Sequence, residues 1–285
     1  MYPPELVQLE VAPVLSPSLA ASGATADERP SLLAASGLAK RYGGLVALAE
    51  YDLRLAPGSI HGIIGPNGAG KTTLFNLLSG MVAPTAGTIE FDGQDITGLP
   101  ADRVARMGVT RTFQNIRLFD DLSALENVMA GVQAHHPSNF LATILSLASF
   151  RAVEQQIERR AHELLALVGL SSVAARRSGS LPYGDQRRLE IARALAIEPR
   201  VLMLDEPNAG MHRSETDDLL ALIRRIRDEL AVTIILIAHD IPLVMNLCDR
   251  IQVLNFGELI AEGSPEQVRA DPEVVAAYIG QARDA

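Results

Sequence analysis

The sequence is poor in three things, and each shortage excludes a class of protein. Cysteine occurs once, at Cys248. A single thiol cannot build an internal disulfide framework, so the chain fits a reducing compartment, with Cys248 as a small apolar packer. Basic residues are outnumbered: 25 Lys and Arg stand against 34 Asp and Glu, giving a formal net charge of −9 and a pI near 5.2. Affinity for a phosphate backbone rests on clustered cations, so no nucleic-acid partner is expected. Long apolar runs are missing as well. The most tempting, FLATILSLASF (140–150), has eleven residues, against roughly 20 for a bilayer-spanning helix. The amino terminus lacks the basic residues and apolar core of a secretion signal. The expectation is a cytosolic protein that can still dock on a membrane protein.

The 285 residues are 48% apolar and 21% charged, a globular composition long enough for one large domain or two small ones. Residues 1–30 scatter Pro3, Pro4, Pro13, Pro17 and Pro30 among Ala and Ser and read as a poorly ordered tail. Beyond them, short apolar runs alternate with turns. SIHGIIG (59–65) reads as a buried strand, TLFNLLSGM (73–81) as the helix after it, and TIEFDG (88–93) as a strand and turn. From about 123 to 195 helical periodicity takes over, with Val153, Ile157, Leu164, Leu165 and Val168 recurring at spacings near 3.6. Strands return at RVLMLD (200–205), VTIILIA (232–238) and RIQVLN (250–255), whose consecutive apolar residues suit parallel strands covered on both faces. The reading is an α/β domain over 31–285, with an all-helical insertion at about 117–195 and a helical segment at about 264–285. Ser264-Pro265-Glu266-Gln267 and Asp271-Pro272-Glu273 mark two helix starts in that last segment.

GPNGAGKT (65–72) fits G-x-x-x-x-G-K-[ST] between a predicted strand and a predicted helix. Gly65, Gly68 and Gly70 let the backbone curl, through Pro66, Asn67 and Ala69, so that several N–H groups face one phosphate. Lys71 can reach the terminal phosphates and Thr72, followed by Thr73, can ligate Mg²⁺. The helix beginning there adds its positive dipole end. Such a loop needs carboxylates to hold the metal and orient water. VLMLDEP (201–207) supplies Asp205, placed to bind Mg²⁺ through water, and Glu206, placed to polarise the attacking water. Two acids ending an apolar strand would be costly without a cation nearby. VTIILIAHD (232–240) repeats the layout and ends in His239, within reach of a γ-phosphate at the carboxyl end of a neighbouring strand.

GPNGAGKTT, RTFQNIRLF, LPYGDQRRLEIARAL, LMLDEP and IAHD occur in the order found in ATP-binding cassette (ABC) ATPases, and the chain resembles that family over roughly 32–285. The resemblance implies a P-loop NTPase core carrying an inserted α-helical subdomain, with ATP and Mg²⁺ as cofactors. By it, Tyr42 in KRYGG stacks on adenine, and Gln114 senses the γ-phosphate, contributes to the metal site and links to the membrane partner. NAGMH (208–212) would lie at a dimer seam, and Tyr183, Gly184 and Asp185 would meet the ATP of a second cassette. YGDQRRLE, ARMGVTRTFQNIRLF and GSPEQVRADPEVVAAYIG further resemble the ATPases of branched-chain amino acid importers. Two permease subunits, a second ATPase, identical or related, and indirectly a solute-binding protein would be the partners. The expected location is the cytoplasmic face of the inner membrane.

The family's loop usually reads Leu-Ser-Gly-Gly-Gln, whereas this one reads Leu181-Pro182-Tyr183-Gly184-Asp185. Losing the serine hydroxyl forfeits a hydrogen bond to a charged phosphate, on the order of 1.5–3 kcal/mol. Gly184 still permits close approach and the following helix still directs N–H groups outward. Asp185 can accept from a ribose hydroxyl, though its charge disfavours the γ-phosphate. A working contact in altered form is the reading adopted, against a dead loop or a plain helix start. Ala238 and His212 also depart from the family, which has Glu before the histidine and Asp or Asn in the seam loop. Other functions weighed are a soluble ABC-type ATPase of translation or DNA repair, an importer ATPase for another small solute, and a non-hydrolysing interaction protein.

Overall fold

The computed structural model describes residues 31–135 and 147–279. The tail at 1–30, most of FLATILSLASF and the last six residues lie outside them. Among the described residues ten strands run in chain order: β1 (Leu33–Tyr42), β2 (Leu45–Leu55), β3 (Ile60–Ile64), β4 (Ala86–Phe91), β5 (Gln94–Asp95), β6 (Val109–Arg111), β7 (Val201–Asp205), β8 (Thr233–Ile237), β9 (Arg250–Asn255) and β10 (Glu258–Gly263). The α-helices are α1 (Lys71–Leu78), α2 (Ala101–Met107), α3 (Ala124–His135), α4 (Leu147–Leu167), α5 (Tyr183–Leu195), α6 (Arg213–Leu230), α7 (Ile241–Leu247), α8 (Pro265–Ala270) and α9 (Pro272–Ile279). None is long and apolar enough to cross a membrane.

A six-stranded sheet in the order β10-β9-β3-β8-β7-β6 forms the centre. From β9 to β6 the pairing is parallel, and β10 closes the edge antiparallel to β9. Every residue of β3, β7 and β8 is buried, as expected of strands this rich in apolar residues. Alternate side chains serve two cores. Ile60, Ile64, Leu202, Leu204, Ile234 and Leu236 face α5, α6 and α7, while Ile63, Met203, Ile235 and Ile237 face α1 and a second sheet. Each such side chain stabilises the fold by roughly 1.5–3 kcal/mol.

The second sheet, ordered β2-β1-β4-β5, is antiparallel throughout. Of its strands only β4, overlapping TIEFDG (88–93), is expected from the sequence. Register shifts interrupt β1 between Ala35 and Arg41, which breaks the strict alternation that marks a half-buried strand.

Between β6 and β7 lie α3, α4 and α5, with no strand among the described residues. On α4, Ala161, Leu164, Leu165 and Val168, just past its end, are buried, Ile157 packs at the margin, and Val153 is exposed. The periodic face therefore starts one or two turns later than the sequence pattern placed it. Near the carboxyl end, Ser264 and Gln267 exchange the two hydrogen bonds of a capping box, and Asp271 accepts from the Glu273 amide.

Candidate functional site

Four adjacent strands, β3, β8, β7 and β6, point their carboxyl ends to one side of the central sheet, the usual place for a ligand in parallel α/β sheets. β3 leads into the phosphate loop, β8 to His239, β7 to Glu206, and β6 through Thr112 and Phe113 to Gln114. Sequence positions 65, 114, 206 and 239 are thus brought together by topology.

The loop at 65–70 curls tightly, with φ of 153° at Gly65, 79° at Gly68 and 102° at Gly70. A side chain at Gly65 would collide with the Leu254 carbonyl, and one at Gly70 would sit 2.6 Å from the Ala47 carbonyl. Glycine is required at both by conformation and by space. Gly257 donates its N–H to the Ala69 carbonyl (2.9 Å), tying the loop to the β9–β10 turn. Gly70 N-caps α1 without a side-chain cap, and the first turn carries no acid. Those N–H groups and the helix dipole suit an anion.

Lys71 is 5% exposed, and its Nζ donates to the carbonyls of Gly65 (2.6 Å) and Pro66 (2.8 Å). Burial pushes its pKa down, while the charges of Glu206 and Asp205 oppose the change. The ammonium therefore sits folded over the loop with two carboxylates across the site. Thr72 is exposed beside it and Thr73 half-buried.

Glu206 follows β7 in the left-handed region, at φ 47°, and its N–H donates to the Ile237 carbonyl (2.9 Å). A non-glycine residue held there costs about 1–3 kcal/mol, and the bond to β8 helps to offset it. The turn aims the carboxylate into the site, where one oxygen contacts His239 Nε2 and the other accepts from Gln114 Nε2 at 3.0 Å. Of the three residues read as reacting groups, Gln114 and His239 thus each contact Glu206. Asp205, 4% exposed, forms an ion pair with Arg111 at 2.6 Å, and Arg111 also donates to Asn76 Oδ1 (2.6 Å). Thr72, Gln114 and Asp205 offer hydroxyl, amide and carboxylate oxygens, a donor set that fits Mg²⁺ alongside phosphates.

Tyr42 ends β1 at the hairpin tip, 46% exposed, with Lys40 Nζ 5.1 Å from its ring centre. Pro182 N-caps α5, and Pro182 and Tyr183 are exposed. Asp185 pairs with Arg188 at 2.5 Å, so its charge is partly neutralised. Gly184 is buried against residues 211–215 of its own chain: a side chain there would meet Glu215 Oε1 at 3.0 Å and Met211 Cε at 3.7 Å. The 181–185 segment and the 208–212 loop therefore touch within one chain. His212 precedes α6, with its N–H donating to Glu215 Oε2 at 2.8 Å.

Four residues at the site carry no local sequence signal. Arg111 lies within the quoted RTFQ stretch, but nothing local marks its partner 94 positions away. Arg187 and Glu190 form a fully buried pair on α5. Tyr278 on α9 is the other: burial pushes its pKa up to about 12, and the nearby Gly65 N–H opposes the rise. Beside the Gln114 loop a cavity of about 420 Å³ opens between α2, α3 and α5, lined by Met81, Ala101, Ala105, Phe113, Phe119 and Ala130. Met81 and Phe119 are about half exposed.

A family model described as "ABC transporter" matches residues 48–209, and one described as "Branched-chain amino acid ATP-binding cassette transporter" matches residues 258–284. The high-affinity branched-chain amino acid transport ATP-binding protein BraF of Pseudomonas aeruginosa is 48% identical over 251 residues, spanning 88% of this chain and 98% of its own. LivG of Escherichia coli (strain K12), described in the same words, is 46% identical over the same spans. The crystal structure of an ATP-binding cassette of an ABC transporter in its ADP conformation superposes with a TM-score of 0.76 at 29% identity, covering 88% of this chain and 99% of that one. With a family model over more than half its length and curated relatives well above 40% identity, this chain belongs to the ABC transporter family.

Proposed function

We propose that the protein is the ATP-hydrolysing subunit of an importer that moves branched-chain amino acids through partner permeases. The observation that carries the hydrolytic part is the contact of Gln114 and His239 with the two oxygens of Glu206, beside Lys71 and the phosphate loop. Glu206 takes a proton from the attacking water. His239 holds that carboxylate in place and faces the terminal phosphate, and Gln114 adds an amide whose position depends on the loop after β6. Lys71 leaves the loop carbonyls for the β- and γ-phosphates, which the N–H groups of residues 67–73 surround. Thr72, Gln114 and Asp205 would hold Mg²⁺, Asp205 while keeping its pair with Arg111, and the metal would neutralise charge on the phosphates. Tyr42 stacks on the base.

The solute class rests on two supports: the names of the relatives, and the separate match of residues 258–284 to a branched-chain amino acid transporter family. For the permease contact, the cavity beside Phe113 and Phe119 is lined mainly by apolar side chains, with Arg111, Glu190 and Arg193 among them, and it reaches Phe113, next to Gln114, which suits a short amphipathic helix from a membrane subunit. A facing cassette completes each site through Tyr183, Gly184 and Asp185. The test is reconstitution with the permeases that co-purify with the chain. ATP-driven leucine uptake into vesicles, lost on chelating Mg²⁺, is the expected result. Phosphate release with no uptake of any branched-chain amino acid would remove the solute assignment.

A further inference from the structure

The deepest charged side chains outside the phosphate loop are Arg187, 0% exposed, and Glu190, 2% exposed, one turn apart on α5 and paired at 2.9 Å. Neither touches the side chain of a reacting residue. Both hold the segment that carries one. Arg187 Nη1 donates to the Phe113 carbonyl at 2.6 Å and Nη2 to the Gln114 carbonyl at 2.8 Å, while Glu190 Oε1 accepts from the Phe113 N–H at 3.1 Å. Arg187 Nη2 also lies 3.4 Å from the Tyr183 hydroxyl. Tyr183 in turn covers Gly210, where a side chain would meet its ring at 3.4 Å.

A buried ion pair is seldom the most stable way to fill a helix–loop contact. Apolar residues of similar volume are often neutral or stabilising in its place. Here Arg187 Nε is buried without a partner, a further cost for stability alone. What the pair supplies is direction: two carbonyls and one N–H of consecutive residues are held in a fixed orientation, which apolar contact does not do.

Building on the ATPase reading, we propose that Arg187 and Glu190 are positioning residues that clamp the Gln114 loop to the 181–185 segment. Gln114 serves the chain's own ATP, and 181–185 the ATP of the facing cassette. The clamp makes α5 a lever between two nucleotide sites. Closure on the far ATP sets the reach of Gln114 to Glu206 in the near one.

The test replaces both residues by Met in the full chain, keeping the contact filled. Three quantities are compared with the parent: melting temperature, ATP affinity, and the amide exchange rate of residues 112–116. Turnover is followed wherever the parent hydrolyses ATP. Expected are an equal or higher melting temperature and ATP affinity within two-fold. Exchange of the 112–116 amides should quicken by 10-fold or more, and kcat should fall at least 10-fold with KM within two-fold. Arg187→Lys, which keeps charge but not the two-carbonyl fork, should fall between. Unchanged exchange in the Met pair overturns the clamp, as does exchange that quickens while kcat stays within two-fold. So does a kcat loss matched by a loss of melting temperature, which marks a structural role only. A parent chain that releases no phosphate from ATP in its assembled transporter defeats the ATPase reading instead, and the exchange result still judges the clamp.

Discussion

Arg111 and Asp205 meet at 2.6 Å with side chains 6% and 5% exposed, at the ends of the neighbouring strands β6 and β7. The pair sits behind the metal position read for Asp205 and neutralises a carboxylate that β7 would otherwise bury alone. Arg111→Met should therefore cost about 3–5 kcal/mol, the usual result of stranding one member of a buried pair. Arg111→Met combined with Asp205→Asn should recover most of it. Urea unfolding of the two variants checks this. Equal losses in both would place the stabilisation in Arg111's other bonds, to Asn76 and Ser79.

Lys71→Ala should abolish ATP binding at physiological concentration while leaving the fold in place. Nζ bonds only to loop carbonyls, which solvent can satisfy once the side chain is gone. Direct nucleotide titration and a melting curve separate the two effects. Unchanged affinity would remove Lys71 from the phosphate site.

Glu206→Gln preserves the shape that Gln114 and His239 contact, but takes away the group that accepts a proton. ATP should bind as before while turnover drops ~10²-fold or more. The variant should also accumulate as an ATP-bound dimer in light scattering if the chain pairs with itself. Near-normal hydrolysis would assign water activation to another group.

The legible parts of the molecule share one property: their signals are local. β7 and β8 are nearly continuous apolar runs, β3 and β9 are short runs rich in Ile, Val and Leu, and the phosphate loop lies between a strand and a helix within a dozen residues. The Ser264 and Asp271 helix starts are likewise complete in four or three residues. What escaped was non-local or disguised. β1 and β2 lose alternation to bulges. Arg187 and Glu190, in a stretch rich in Arg and Glu, look like a solvated helix face, yet they point inward because the Gln114 loop presents carbonyls and an N–H there. Tyr278 finds Gly65 only after α8 and α9 fold back beside β10.

His61 makes stability depend on pH. It is 2% exposed in the middle of β3, its Nε2 is without a hydrogen-bond partner, and burial lowers its pKa to about 4. In the unfolded chain it titrates near 6.5. Between those values the unfolded state takes up a proton that the folded state refuses. Stability from this group is complete above pH 6.5 and declines as pH falls toward 4, by about 2 kcal/mol between pH 7 and 5. Urea unfolding of the parent and His61→Leu at those two pH values measures it. The parent should lose more than the variant by roughly that amount, and parallel losses would show that His61 is protonated in the fold.

The 181–185 segment is best tested at Pro182. Bulk at Gly184 presses first on Glu215 and Met211 of the same chain, so a loss there would not distinguish a blocked partner from a displaced seam loop. Pro182 is exposed, N-caps α5 with φ −54° and ψ 151°, and has no cap bond to lose. Pro182→Glu adds a carboxylate where a facing phosphate is expected. Binding of ATP to the single chain should be unchanged, because Lys71 and Thr72 belong to the other site, yet turnover in the assembled transporter should fall 10-fold or more. Pro182→Ser should do the reverse. A hydroxyl hydrogen-bonded to a charged phosphate contributes on the order of 1.5–3 kcal/mol, so the ATP-bound dimer should tighten by about 10-fold or more. Asp185 adds little repulsion in either case, since Arg188 already pairs with it. The opposite signs carry the argument: helix capping alone would make Ser mildly better and Glu mildly worse in melting temperature, with turnover unmoved. Should Pro182→Glu hydrolyse ATP like the parent in the assembled transporter, residues 181–185 are a helix start and nothing more.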